Sequence, residues 1–166
     1  MIKTKEFCDI HKIPYLTIGL KINKVKNKGK YIDEKFTNGI PSFKNPKYKH
    51  LFNNENDRWT GWDYKKCMKF NNEFFDKKTC NALNINLTNT KFMIVDIDAW
   101  DEEKDICNEI LVKQYLEEYG ESNQSTSTRK KLPHLWRLKH NEDKNTTKTG
   151  FKKGLDLIYT NVFEWI

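Results

Sequence analysis

Residues 92–98 read Phe92-Met93-Ile94-Val95-Asp96-Ile97-Asp98, an apolar run that ends in two aspartates separated by one isoleucine. The run has the composition of a buried β-strand, and it delivers two carboxylates to one edge of a sheet. In a strand, residues two apart point to the same side at about 6 to 7 Å, so Asp96 and Asp98 are expected to face one cleft while Val95 and Ile97 point away. Two such anions repel each other and lose hydration. A divalent cation bound by hard oxygen ligands, Mg²⁺ or Mn²⁺, would offset that cost.

A chain of 166 residues with 37% hydrophobic content suffices for one well-buried domain. No stretch approaches the roughly 18 apolar residues of a membrane span, and residues 1–6 lack the apolar stretch of a signal peptide. The expectation is a soluble, intracellular protein with no membrane partner. Cys8, Cys67, Cys80 and Cys107 form no CxxC pair, which suits a reducing compartment. Cys8-Asp9-Ile10-His11 is only weakly zinc-like, with no second ligand pair nearby.

The net charge of +7 is unevenly spread. Residues 1–91 carry 19 Lys and Arg against 9 Asp and Glu, and residues 92–166 carry 11 against 14, giving +10 and −3. A basic first half beside an acidic second half fits an enzyme that holds phosphates and metal together. Coding bias is an equal reading: 27 of the 30 basic residues are Lys, and the chain has 18 Asn, as an AT-rich genome would produce. With only Arg58, Arg129 and Arg137, the bidentate guanine contacts of base-specific readout are not expected.

Residues 15–26 alternate apolar and polar side chains up to a turn at Asn27-Lys28-Gly29, and Tyr31 and Ile32 follow, which is a β-hairpin pattern. Its tip carries Lys24, Lys26, Lys28 and Lys30, candidates for nucleic-acid contact. Residues 41–57 read as loop and 63–78 as a helix burying Tyr64, Cys67, Met68, Phe70, Phe74 and Phe75. Trp59 and Trp62, at the joint, suit either core packing or base stacking. Residues 82–87 read as a short strand forming a second hairpin with 92–98 through Asn89-Thr90.

Asp101, Glu102, Glu103 and Asp105 read as the first turn of a helix, where acids complement the dipole. That helix would present Ile106, Ile110, Leu111, Leu116 and Tyr119 and end at Gly120. Residues 121–127 are a polar loop, 132–138 a strand with His134, Trp136 and Leu138 on one face, and 141–149 a polar connection. Residues 155–159 form the last clear strand, with Asp156 and Ile158 facing one way. Neither an internal repeat nor a Gly-rich phosphate loop is present.

Each motif taken singly is unspecific, and their order sharpens the reading. An apolar strand ending Asp96-Ile97-Asp98, a helix, a basic Ser/Thr loop leading to Pro133-His134-Leu135-Trp136, and then Gly154-Leu155-Asp156 resembles the archaeo-eukaryotic primase superfamily. More specifically, it looks like the primase-polymerase domains of plasmids, phages and large DNA viruses. The resemblance covers the chain from about residue 80 onward. It implies a mixed α+β fold, with a mostly antiparallel, RNA-recognition-motif-like sheet flanked by helices. It also implies a basic N-terminal module at 1–79 and a catalytic core at 80–166, both within one compact unit.

By the same resemblance, Asp96, Asp98 and Asp156 hold catalytic Mg²⁺ or Mn²⁺, and His134 contacts the triphosphate of an incoming NTP or dNTP. Ser127 and Thr128 supply the hydroxyl of the second motif, with Arg129 and Lys131 as further phosphate contacts. The implied partners are a single-stranded or primed DNA template and a replicative helicase. In the family's usual second motif Ser-Gly stands close before the His, whereas here residues 129–133 intervene. Family members usually continue beyond the third motif, so a shortened form of the core is the expectation.

Nucleotide addition is an in-line displacement at the α-phosphate, which two metals about 3.5 to 4 Å apart stabilise at both attacking and leaving oxygens. Carboxylates on two strands, an imidazole and nearby lysines are the groups that chemistry uses. Two alternatives remain at this level: a noncatalytic nucleic-acid-binding or replisome module derived from a primase, and a metal-dependent phosphohydrolase. The phosphatase form of Asp-x-Asp usually has Thr or Val two residues beyond, where this chain has Ala99-Trp100. The Gly-Ser of polymerase-beta-like nucleotidyltransferases is absent upstream of the carboxylates.

Overall fold

The apolar run at 92–97 is buried on both faces, and a different partner layer covers each. The computed structural model describes residues 3–74, 76, 78–120, 124–126, 132–140 and 147–165. The fold is mixed α+β, with antiparallel strands throughout the pairings described. Helix α1 spans Thr4–His11, and strands β1 (Tyr15–Asn27) and β2 (Lys30–Asn38) form the expected hairpin. Lys28 and Gly29 both have positive φ, 49° and 85°, the conformation of the two-residue turns that match strand twist. Helix α2 (Tyr64–Phe74) and β3 (Ala82–Asn86) precede the central strand β4 (Phe92–Ile97).

A small ribbon of β5 (Trp100–Asp101) and β6 (Ile106–Cys107) leads to α3 (Glu109–Tyr119). Strands β7 (Gln124–Thr126), β8 (Pro133–Leu138), β9 (Lys148–Lys152), β10 (Leu155–Ile158) and β11 (Asn161–Trp165) complete the chain.

The larger strands form two sheets, ordered β11-β3-β1-β2 and β7-β8-β4-β10-β9. Side-chain alternation then stacks the layers. Tyr15, Leu83, Ile85 and Val162 from the first sheet meet Phe92, Ile94 and Trp136 from the second, with Phe7, Cys8 and Ile13 closing one side. The opposite face of the first sheet buries Leu16, Ile18 and Leu20 against Cys67 and Phe70 of α2. The opposite face of the second buries Val95, Ile97, Leu135 and Leu155 against Tyr115 of α3. Each fully buried aliphatic or aromatic side chain contributes roughly 1.5–3 kcal/mol.

Two asparagines substitute for strand neighbours. β2 pairs with β1 only from Gly19 onward, which leaves the backbone at Tyr15–Thr17 without that partner. Asn71 of α2 fills the gap: it accepts from Thr17 N at 3.0 Å and donates to Tyr15 O at 3.0 Å. Just before β3, the Asn81 amide bonds both backbone groups of Leu20.

The structure corrects several expectations. β3 and β4 are not a hairpin; they lie in different sheets. Both runs are buried on both faces, so each becomes an interior strand, and the short link between them crosses from layer to layer. The acids at 101–105 do not begin a helix. Asp101 Oδ1 accepts from Glu103 N and Lys104 N in a side-chain-closed turn, and α3 is instead capped by Asn108, which accepts from Leu111 N. Starting the helix later leaves Ile106 and Ile110 54% and 83% exposed rather than in the core.

Strands also form where polar loop was expected, at β7 and β9, and β11 follows the strand read as last. Strands β3 and β11, both from beyond residue 79, join the sheet of β1 and β2. Among the described residues, no helix is long and apolar enough to cross a membrane.

Candidate active site

Antiparallel register brings the motif residues together. Across β4 and β8 the partner of Asp96 is His134, and across β4 and β10 it is Asp156. Directly opposed residues share a face, so three adjacent strands present imidazole, carboxylate and carboxylate in one row. Phe92, Ile94, Trp136 and Ile158, on the same strand faces, belong to the apolar layer between the sheets. The row is therefore the polar end of that layer.

His134 is 3% exposed, and both ring nitrogens are engaged. Nε2 lies 3.1 Å from Asp96 Oδ1, and Nδ1 lies 2.7 Å from Glu164 Oε1 on β11 of the other sheet. Burial disfavours the imidazolium, but hydrogen bonds to Asp96 and Glu164, together with their charges, outweigh it and push the pKa up to about 10. In the charged form both ring N–H groups donate, one to each carboxylate. No ring N–H is left for a triphosphate in this arrangement.

Asp156 is held differently. A register shift between β9 and β10 accompanies Gly150 at φ 64°, and the Gly150 N–H donates to Asp156 Oδ1 at 2.6 Å. Gly154, in the turn before β10, has φ 68° and packs against the end of β4, its carbonyl accepting from Asp98 N at 2.9 Å. Tyr115 of α3 donates to Lys153 O at 2.6 Å and anchors the same turn.

Asp98 lies one residue past β4 and is exposed. It borders a cavity of about 440 Å³ whose lining includes Lys30, Trp100 and Lys153. The lysine hairpin is folded against this side: Tyr31 N donates to Glu102 O at 2.8 Å, and Lys24 ion-pairs with Asp105. Lys24 and Lys26 also stack over the Tyr31 ring, at 5.1 and 5.3 Å. Lys28 occupies the turn itself. Lys30 is therefore the hairpin lysine that borders the same cavity as a motif aspartate.

Among the described residues, no group of three or more His, Cys, Asp or Glu side chains could hold a metal ion. Asp96, Asp98 and Asp156 do not form a ready-made cage. The facing pair Asp96 and Asp156 nonetheless fits the way Mg²⁺ is commonly held, by one or two carboxylates with substrate phosphates supplying other ligands. Cys8, in the weak zinc-like stretch, is fully buried, and burial, with added repulsion from Asp9 and Glu164, raises its thiol pKa. Trp59 and Trp62 are core residues, 6% and 5% exposed.

Ser127, Thr128, Arg129 and Lys131 lie outside the described residues. Within β7 it is Ser125 that occupies the register position opposite His134. Glu164 was missed by sequence reasoning, because the run Asn161-Val162-Phe163-Glu164-Trp165 was not read as a strand. Its β-branched and aromatic content, Val162, Phe163 and Trp165, was the available signal. The chain matches no protein-family model, no curated protein and no solved structure.

Proposed function

We propose that the protein is a primase-polymerase-like nucleotidyltransferase that adds NTPs or dNTPs on a DNA template with Mg²⁺ or Mn²⁺. The observation that carries this reading is the cross-strand row His134–Asp96–Asp156, which aligns the motif residues of three strands on one sheet face. A divalent cation held there would neutralise the α-phosphate and the leaving pyrophosphate. Asp96 and Asp156 supply ligand oxygens, and His134 holds Asp96 in place. Asp98, Lys30 and Lys153 border the adjoining cavity, where lysines would attract the triphosphate. The hairpin lysines Lys24, Lys26, Lys28 and Lys30 offer a surface for template phosphates, and a helicase partner follows from the family resemblance alone.

One arrangement favours a second reading, a noncatalytic nucleic-acid-binding module: both nitrogens of His134 are occupied and the carboxylates form no cage. Primer synthesis and primer extension on single-stranded DNA with Mn²⁺ separate the two. Template-dependent products from the wild type, lost in Asp96→Ala and Asp98→Asn, support the polymerase. DNA binding without products in any of the three sinks it and leaves the binding module.

A further inference from the structure

The buried carboxylate of Glu164 has no place in the three motifs, yet it touches one of them. Its side chain is 2% exposed, that of His134 4% and that of Asp96 20%, so a continuous polar chain runs from the interior to the open end of the layer. It also crosses between sheets, since Glu164 stands on β11 and His134 on β8. Burying a carboxylate and the imidazole bonded to it costs desolvation, and an apolar pair of similar volume would stabilise the layer at least as well. A purely structural account therefore leaves the choice of residues unexplained.

We propose that Glu164 is a positioning residue that fixes the His134 ring and, through it, the Asp96 carboxylate. This rests on the reading of Asp96 as a group that acts on substrate. With Nδ1 2.7 Å from Glu164 Oε1 and Nε2 3.1 Å from Asp96 Oδ1, the ring is held at both ends and the Asp96 carboxylate is tied to its plane. Removing an outer-shell partner that orients a metal ligand typically costs about 10- to 100-fold in activity or affinity.

The test uses the full chain with ¹⁵N-labelled histidine and follows the imidazole Nε2–H signal by NMR. His134→Gln and Asp96→Asn assign that signal. In Glu164→Gln, which keeps an acceptor, the signal is expected to shift, and in Glu164→Ala to broaden or vanish. In parallel, kcat for nucleotide incorporation is expected to fall about 10- to 100-fold with little change in nucleotide KM. An unchanged Nε2–H signal in either folded Glu164 variant overturns the positioning role, whatever the activity. If the wild type incorporates no nucleotide but the signal responds, the polymerase reading falls while the Glu164–His134–Asp96 relation stands. Should Glu164→Ala fail to fold, Glu164→Gln carries both readouts.

Discussion

Asp156 stands directly across the β4–β10 ladder from Asp96, so two carboxylates far apart in the chain share one face of one sheet. Directly opposed like charges destabilise a strand pair. The fold compensates each separately, Asp96 through the His134 imidazolium and Asp156 through the Gly150 N–H.

That separation sets the effect of neutralising Asp156. Asp156→Asn keeps an oxygen for the Gly150 N–H and removes the repulsion, so its melting temperature should equal or exceed that of the wild type. Mn²⁺-dependent nucleotide incorporation should fall at least about 100-fold, the loss of several kcal/mol of charge stabilisation. Thermal denaturation together with a primer-extension assay checks both; retained activity would remove Asp156 from the site.

His134 makes stability depend on alkaline pH. Its pKa rises from the ordinary 6.5 to about 10 on folding, so the native state holds a proton that the unfolded chain releases. The resulting stabilisation is fully present below about 6.5, declines above it and is gone once pH passes about 10. Melting curves across that window should fall more steeply for wild type than for His134→Gln. Parallel curves would mean that the imidazole is neutral in the fold.

Gly154 precedes the third motif in a backbone conformation that disfavours side chains. At φ 68°, a Cβ there would meet Ala99 Cα at 3.0 Å and Asp98 O at 3.1 Å, both backbone atoms. Gly154→Ala should cost at least about 1–2 kcal/mol for the left-handed conformation alone, and more for pushing β10 away from Asp98. Urea denaturation reads the cost. A neutral result would show that the turn relaxes freely.

Asn71 closes the strand edge that β2 leaves open. Asn71→Leu removes the acceptor of the Thr17 N–H and the donor to Tyr15 O inside the protein. The expected loss is about 1–3 kcal/mol per buried group left unpaired. Equilibrium unfolding tests this, and amide exchange at Thr17 should accelerate selectively. Unaltered Thr17 exchange would exclude the side chain as that amide's partner.

Local patterns that do not depend on distant neighbours were readable in the chain. The first hairpin follows from alternation and the Lys28-Gly29 turn, the second helix from apolar spacing and the central strand from its unbroken apolar run. The third helix was misplaced because its acids serve a side-chain-closed turn, which composition alone does not distinguish from a helix start. Strand β9 was missed because it is short and polar, and β11 because its five residues, Asn161 to Trp165, are too few to show a period. They form because a neighbouring strand offers a ladder to join.

For the candidate site, sequence by itself determined the residue types and their order: a carboxylate pair after a buried strand, an imidazole on a later strand and an aspartate after a glycine. Strand alternation put Trp136 on the face of His134 and Ile158 on that of Asp156, but it set Asp98 beside Asp96 on a strand that in fact ends at Ile97. Tertiary structure alone decided that Asp96 pairs with His134 on one side and Asp156 on the other, that Asp98 turns to a neighbouring cavity with Lys30, and that Glu164 reaches His134 from the other sheet. The reason is physical. Period and propensity act within a few residues, whereas register and sheet membership are set when separate strands bury their apolar faces against one another, and that choice is made by the whole core.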